Sequence, residues 1–125
     1  MSERNTRLDA IYAEAAPEIA EFWNDCREAG LEAHTEEATG AVDAEIRGFF
    51  ERLKALPDPS TDEQVLAEMK QLYEALDRIN ADLEHGLLET DERELLVPVF
   101  IAAAEACGVD PEAYDGEPGG EYREF

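Results

Sequence analysis

The sequence predicts an all-α protein: an antiparallel four-helix bundle with a short C-terminal tail expected to dock on it. Three observations carry this. Apolar residues recur at steps of three and four through four segments, short breaks bearing glycine or proline separate the segments, and neither strand-like alternation nor an internal repeat appears. Four amphipathic helices with short connections pack antiparallel around one core. At 125 residues and a hydrophobic share of 44%, the chain suits one domain. Residues 1–108 form the expected bundle and 109–125 an acidic tail that carries aromatics.

The first helix is read from Leu8, Ile11, Tyr12, Ala15, Ile19, Phe22, Trp23 and Cys26, one stripe ending near Gly30. Pro17 lies off that stripe and is expected to bend or restart the helix. The second begins at Thr35, with Glu36 and Glu37 in its first turn, and shows Val42, Ile46, Phe49, Phe50, Leu53 and Leu56 on its apolar face. Gly40 and Gly48 within it suggest close approach of a neighbouring helix. After the break "PDPST" (57–61), a capping box from Ser60 to Glu63 opens the third helix. It runs through Val65, Met69, Leu72, Tyr73, Leu76, Ile79 and Leu83 to a stop at Gly86. Asn80 on its apolar face is expected to make a buried hydrogen bond. The fourth carries Leu95, Leu96, Val99, Phe100, Ala103 and Cys107, passes a bend at Pro98, and ends at Gly108.

Charge narrows the function classes. Thirty-two acidic residues against ten basic ones give a net charge of −22. Such a surface repels nucleic-acid phosphates and anionic lipids, so neither is an expected partner, whereas a basic protein is. A salt-adapted host is the competing explanation for the same charge. The polar start "MSERNTRLDA" has no apolar signal core and no apolar run reaches membrane length, so a cytoplasmic protein is expected. Cys26 and Cys107 fall at helical spacing among apolar residues and read as small buried hydrophobes.

The stretch "ETDERE" (89–94) looks most like a site. Thr90 as N-cap with Asp91 and Glu92 in the first turn explains it without chemistry, and Gly86 separates Glu89 from His85. The Glu-x-x-His pairs of a di-metal bundle are missing, and neither His34 nor His85 has an evident orienting partner. A metal-dependent hydrolase remains the alternative, with Glu74–Asp77 facing Glu36–Glu37. No catalytic residue, metal ligand or cofactor is assigned.

The feature without a structural reason lies on the first helix. Glu14, Glu18, Glu21, Asp25 and Glu28 recur at steps of four and three, making one ridge of like charge. Arg27 points away from it, whereas Asp43–Arg47, Arg47–Glu51 and Glu74–Arg78 promise i,i+4 relief elsewhere. The expectation is a small interaction protein of accessory, inhibitor or immunity type. Its ridge would hold a basic partner, with Trp23 as an apolar anchor and Tyr114, Tyr122 and Phe125 as possible tail anchors. A homodimer sharing an apolar face around Trp23, Phe49, Phe50 and Phe100 is a further expectation.

Overall fold

The computed structural model describes residues 2–125. Four helices follow one another: α1 (Glu3–Glu28), α2 (Glu36–Ala55), α3 (Asp62–Asp82) and α4 (Thr90–Ala106). Each packs on its sequence neighbour and α4 closes back on α1, which gives the expected antiparallel bundle. Two 3-10 turns follow, Pro111–Tyr114 and Gly120–Tyr122, and the second lies against α3.

Local chemistry sets most of the boundaries. Ser2 accepts from the Asn5 N–H and Thr35 from the Ala38 N–H, so α1 and α2 each start on a hydroxyl cap. Gly30 (φ 84°) turns the chain out of α1 while Leu31 N–H reaches back to the Cys26 carbonyl, the pattern that satisfies a helix's last acceptors. Helix α1 is continuous through Pro17, and α4 through Pro98.

Three boundaries differ from the sequence expectation. The capping box of α3 is Thr61 with Gln64, one residue beyond Ser60 and Glu63. Ser60 is engaged elsewhere: its hydroxyl donates to the Pro57 carbonyl and accepts from Arg4. Helix α3 stops because Glu84 and His85 adopt left-handed backbone (φ 57° and 62°), with Gly86 following the turn. Asn80 holds that turn, its Oδ1 accepting from the Leu87 and Leu88 N–H groups at 3.1 and 2.8 Å. At α4 the N-cap is Glu89, without a side-chain bond, and Thr90 is the first helical residue.

The core contains Trp23, Phe49, Phe50, Phe100, Tyr73 and leucines from all four helices. Burying each large apolar side chain contributes about 1.5–3 kcal/mol. Arg4 is the unexpected inner residue. Its guanidinium donates to the Lys54, Leu56 and Pro57 carbonyls and so caps the C-terminal end of α2. Gly40 has open space beside it and Gly48 meets only the Arg52 side chain, so neither glycine admits a helix.

The tail docks. Tyr114 donates to Asp62 at 2.7 Å, the Tyr122 ring lies under the Lys70 ammonium, and Phe125 packs edge-on against Tyr73. A side chain at Gly119 would run into Met69 and Tyr73, and its φ of 76° is one that glycine adopts without strain. Tyr73 meets Phe100 of α4 with the same ring that meets Phe125, so the tail covers the α3/α4 side.

Candidate interaction surface

Glu14, Glu18, Glu21, Asp25 and Glu28 are all exposed along α1, as a one-sided spacing requires. Among the described residues none of the five forms an ion pair. The nearest relief is a 3.4 Å hydrogen bond from Asn24 to Glu28. Arg27 turns away, as its angle implies, and donates to the His34 carbonyl and the Thr39 hydroxyl. The ion pairs that do form join Arg52 to Glu68, Lys54 to Asp9 and Glu51, and Arg123 to Glu117. The expected pairs Asp43–Arg47, Arg47–Glu51 and Glu74–Arg78 are not among them. Asp43 instead accepts from the Trp23 indole N–H at 2.9 Å.

That bond belongs to a correction. Trp23 is 1% exposed and packs inside the bundle, so it cannot anchor a partner on the folded chain. Its ring fills the space between α1 and α2, and the indole N–H needs the acceptor that α2 provides. Phe49, Phe50 and Phe100 are buried alongside, so the apolar face imagined for a homodimer is internal. Tyr114, Tyr122 and Phe125 are spent on docking the tail against α3 of the same chain.

The ridge has an apolar neighbour that the sequence did not single out. Between α1 and α4 runs a groove of about 410 Å³ lined by Ile11, Ala15, Leu95, Pro98, Val99 and Ala102. Its rims are acidic: Glu14 and Glu18 from α1, Glu94 from α4. Farther along the same pair of helices a second hollow of about 360 Å³ is lined by Phe22, Cys26, Leu31, Glu89, Thr90, Asp91 and Glu92. Leu31 there is 49% exposed, the one large apolar side chain left so open among the described residues. By helical spacing Arg93 lies roughly 100° round α4 from Glu94 and roughly 140° from Pro98, off the face that lines the groove.

Beneath the second hollow lies a pair that sequence reading missed. His34 and Glu92 are 2% and 4% exposed, and Nε2 meets Oε1 at 3.1 Å. The ring also stands beside the Trp23 ring. Its Nδ1 has no partner among the described residues. "ETDERE" thus divides: Asp91 remains in the exposed first turn, and Glu92 turns inward to tie α4 to the α1–α2 connection. Burial, followed by the carboxylates of Glu92, Asp25 and Asp91, pushes the Cys26 thiol up. Burial does the same to Cys107. Both thiols are therefore poor nucleophiles.

The alternative carboxylate pairs do not gather. Glu74, Glu36 and Glu37 are exposed, and Asp77 accepts from the Glu124 N–H. Among the described residues no three histidine, cysteine, aspartate or glutamate side chains are placed to share a metal ion. Among the described residues no helix is long and apolar enough to cross a membrane. No protein-family model, curated protein or solved structure matches the chain.

Proposed function

We propose that this chain is a non-enzymatic interaction protein that holds a basic protein partner on the outer face of α1. The observation that supports it is a juxtaposition. A row of exposed carboxylates, without ion-pair partners among the described residues, runs beside an uncovered apolar groove. Carboxylates spaced at i,i+3 and i,i+4 repel one another by about 0.2–0.5 kcal/mol per pair. A partner's lysines and arginines relieve that repulsion on docking, and the groove adds apolar contact that charge alone does not provide.

The test uses two baits, the wild type and Glu18→Lys/Glu21→Lys/Asp25→Lys. Each is presented to extract from the native host at low and at high salt. The expected result is a basic protein retained by the wild type, released by salt and absent from the reversed bait. The complex is then rebuilt from purified components by titration. Equal capture by both baits reduces the α1 face to a solvated surface and overturns the reading.

A further inference from the structure

The groove has a shape as well as a charge, and the shape selects what can lie in it. Its walls are two antiparallel helices, its floor is Ile11, Leu95 and Val99, and acidic residues stand on both sides. Resting on the basic-partner reading above, we infer that the docked element is a basic amphipathic α-helix laid along the α1/α4 seam.

A helix fits the furrow between two packed helices at interaxial distances of 8–10 Å. Its own period places an apolar stripe between two flanking rows of charge, matching an apolar floor between two acidic rims. Along α1 the seam from Ile11 to Cys26 runs about 24 Å, enough for about four turns of a partner helix. A β-strand partner needs unpaired backbone donors and acceptors along an edge, and helical walls provide no such row.

Glu94 on the α4 rim forms no ion pair among the described residues, so its carboxylate is open to a lysine or arginine of the docked helix. A second copy of this chain is the wrong occupant, because it brings the same acidic rims to the contact. The chain's own tail is already engaged on α3.

The probe is a synthetic peptide of about 18 residues with a leucine stripe flanked by lysines, long enough to span the seam. A scrambled peptide of equal composition and charge is its control. Binding is followed by fluorescence anisotropy, and the site by amide shift mapping on labelled protein. The patterned peptide is expected to bind at least tenfold more tightly than the scrambled one. It should move the amides of Ile11, Ala15, Leu95, Val99 and Ala102.

Ala102→Trp fills the groove without changing charge and should weaken binding at least tenfold. Glu18→Lys/Glu94→Lys should weaken it and flatten its salt dependence. If Ala102→Trp misfolds, shift mapping on the wild type still decides. Equal binding of both peptides, weakened alike by Glu18→Lys/Glu94→Lys, overturns the helix and leaves the basic-partner reading standing. Shifts centred on α2 or α3, or no binding at low salt, also overturn the helix, and the captures above then judge the broader reading alone. A concentration-dependent dimer in sedimentation that Ala102→Trp abolishes replaces the helix with a second copy.

Discussion

The seam between α3 and α4 is covered by the chain's own C-terminal segment, whereas the seam between α1 and α4 is open along the groove. Both are built from apolar side chains with carboxylates beside them. The covering segment brings what those carboxylates lack. Glu124 donates its N–H to Asp77, Tyr114 donates its hydroxyl to Asp62, and Phe125 packs its ring edge-on against Tyr73. Along α1 none of the described residues plays these parts, and among them Glu14, Glu18 and Glu94 stand free of ion pairs. The closed seam thus specifies what an occupant of the open one must carry: donors on its flanks and apolar groups on its underside.

Tyr73 is where the closed seam breaks most severely. It is fully buried and its ring contacts both Phe100 and Phe125. Tyr73→Ala should cost about 3–5 kcal/mol, read as a lower urea midpoint, and should loosen the tail to proteolysis. Burial pushes the hydroxyl's pKa well up, and its oxygen has no hydrogen-bond partner among the described residues. Tyr73→Phe should therefore stay within about 0.5 kcal/mol of wild type or gain stability. A loss from Tyr73→Phe as large as that from Tyr73→Ala would assign the stability to the hydroxyl and break this account of the seam.

The open seam has its own weak point at the His34–Glu92 contact. His34→Ala leaves a buried carboxylate without its partner and should cost about 3 kcal/mol. Glu92→Gln keeps an amide oxygen where the carboxylate stood and should lose less. Urea melts of the two variants check the order. If Glu92→Gln costs more than His34→Ala, Glu92 is held by its charge and not by the histidine. Neither change should alter tail proteolysis, which separates the two seams.

The fold was legible because its signals are local. The 3.6-residue stripes, the Thr35 cap and the Gly30 exit all lie within a few residues of the structure they determine. Errors of one residue arose where distant partners chose between equivalent local options. Ser60–Glu63 and Thr61–Gln64 have the same spacing, and Arg4, 56 residues from Ser60, engages that hydroxyl. The candidate site was half legible. Spacing put five carboxylates on one face of α1, but periodicity within a helix does not say which helix lies beside it. Glu94 as the opposite rim, and Leu95 and Val99 as the floor, needed the α1/α4 pairing. His34 and Glu92 stand 58 residues apart with no local mark, so their contact was out of reach. Trp23 misled for another reason: an aromatic in a helical stripe reads equally as core or as anchor until its N–H finds Asp43.

The smallest effect tests how the closed seam tolerates its own acids. Asp77 has its pKa raised above the ordinary 3.8, first by partial burial and then by the nearby Glu124 carboxylate, against hydrogen bonds from the Glu124 and Phe125 backbone. The folded chain therefore holds this proton more tightly than the unfolded chain. Stability from this group is greatest below 3.8 and falls as pH rises through the raised folded value. Asp77→Asn keeps an oxygen for the Glu124 N–H and removes the charge. The variant should match wild type in acid and gain on it as pH climbs toward neutral, by less than about 0.5 kcal/mol because solvent screens a half-exposed carboxylate. Paired melts across that range isolate Asp77 from the other carboxylates, which are common to both proteins. A gain that shrinks with rising pH would mean that the backbone hydrogen bonds outweigh burial and that the tail depends on the charge. The covered seam would then hold its occupant by the same attraction proposed for the open one.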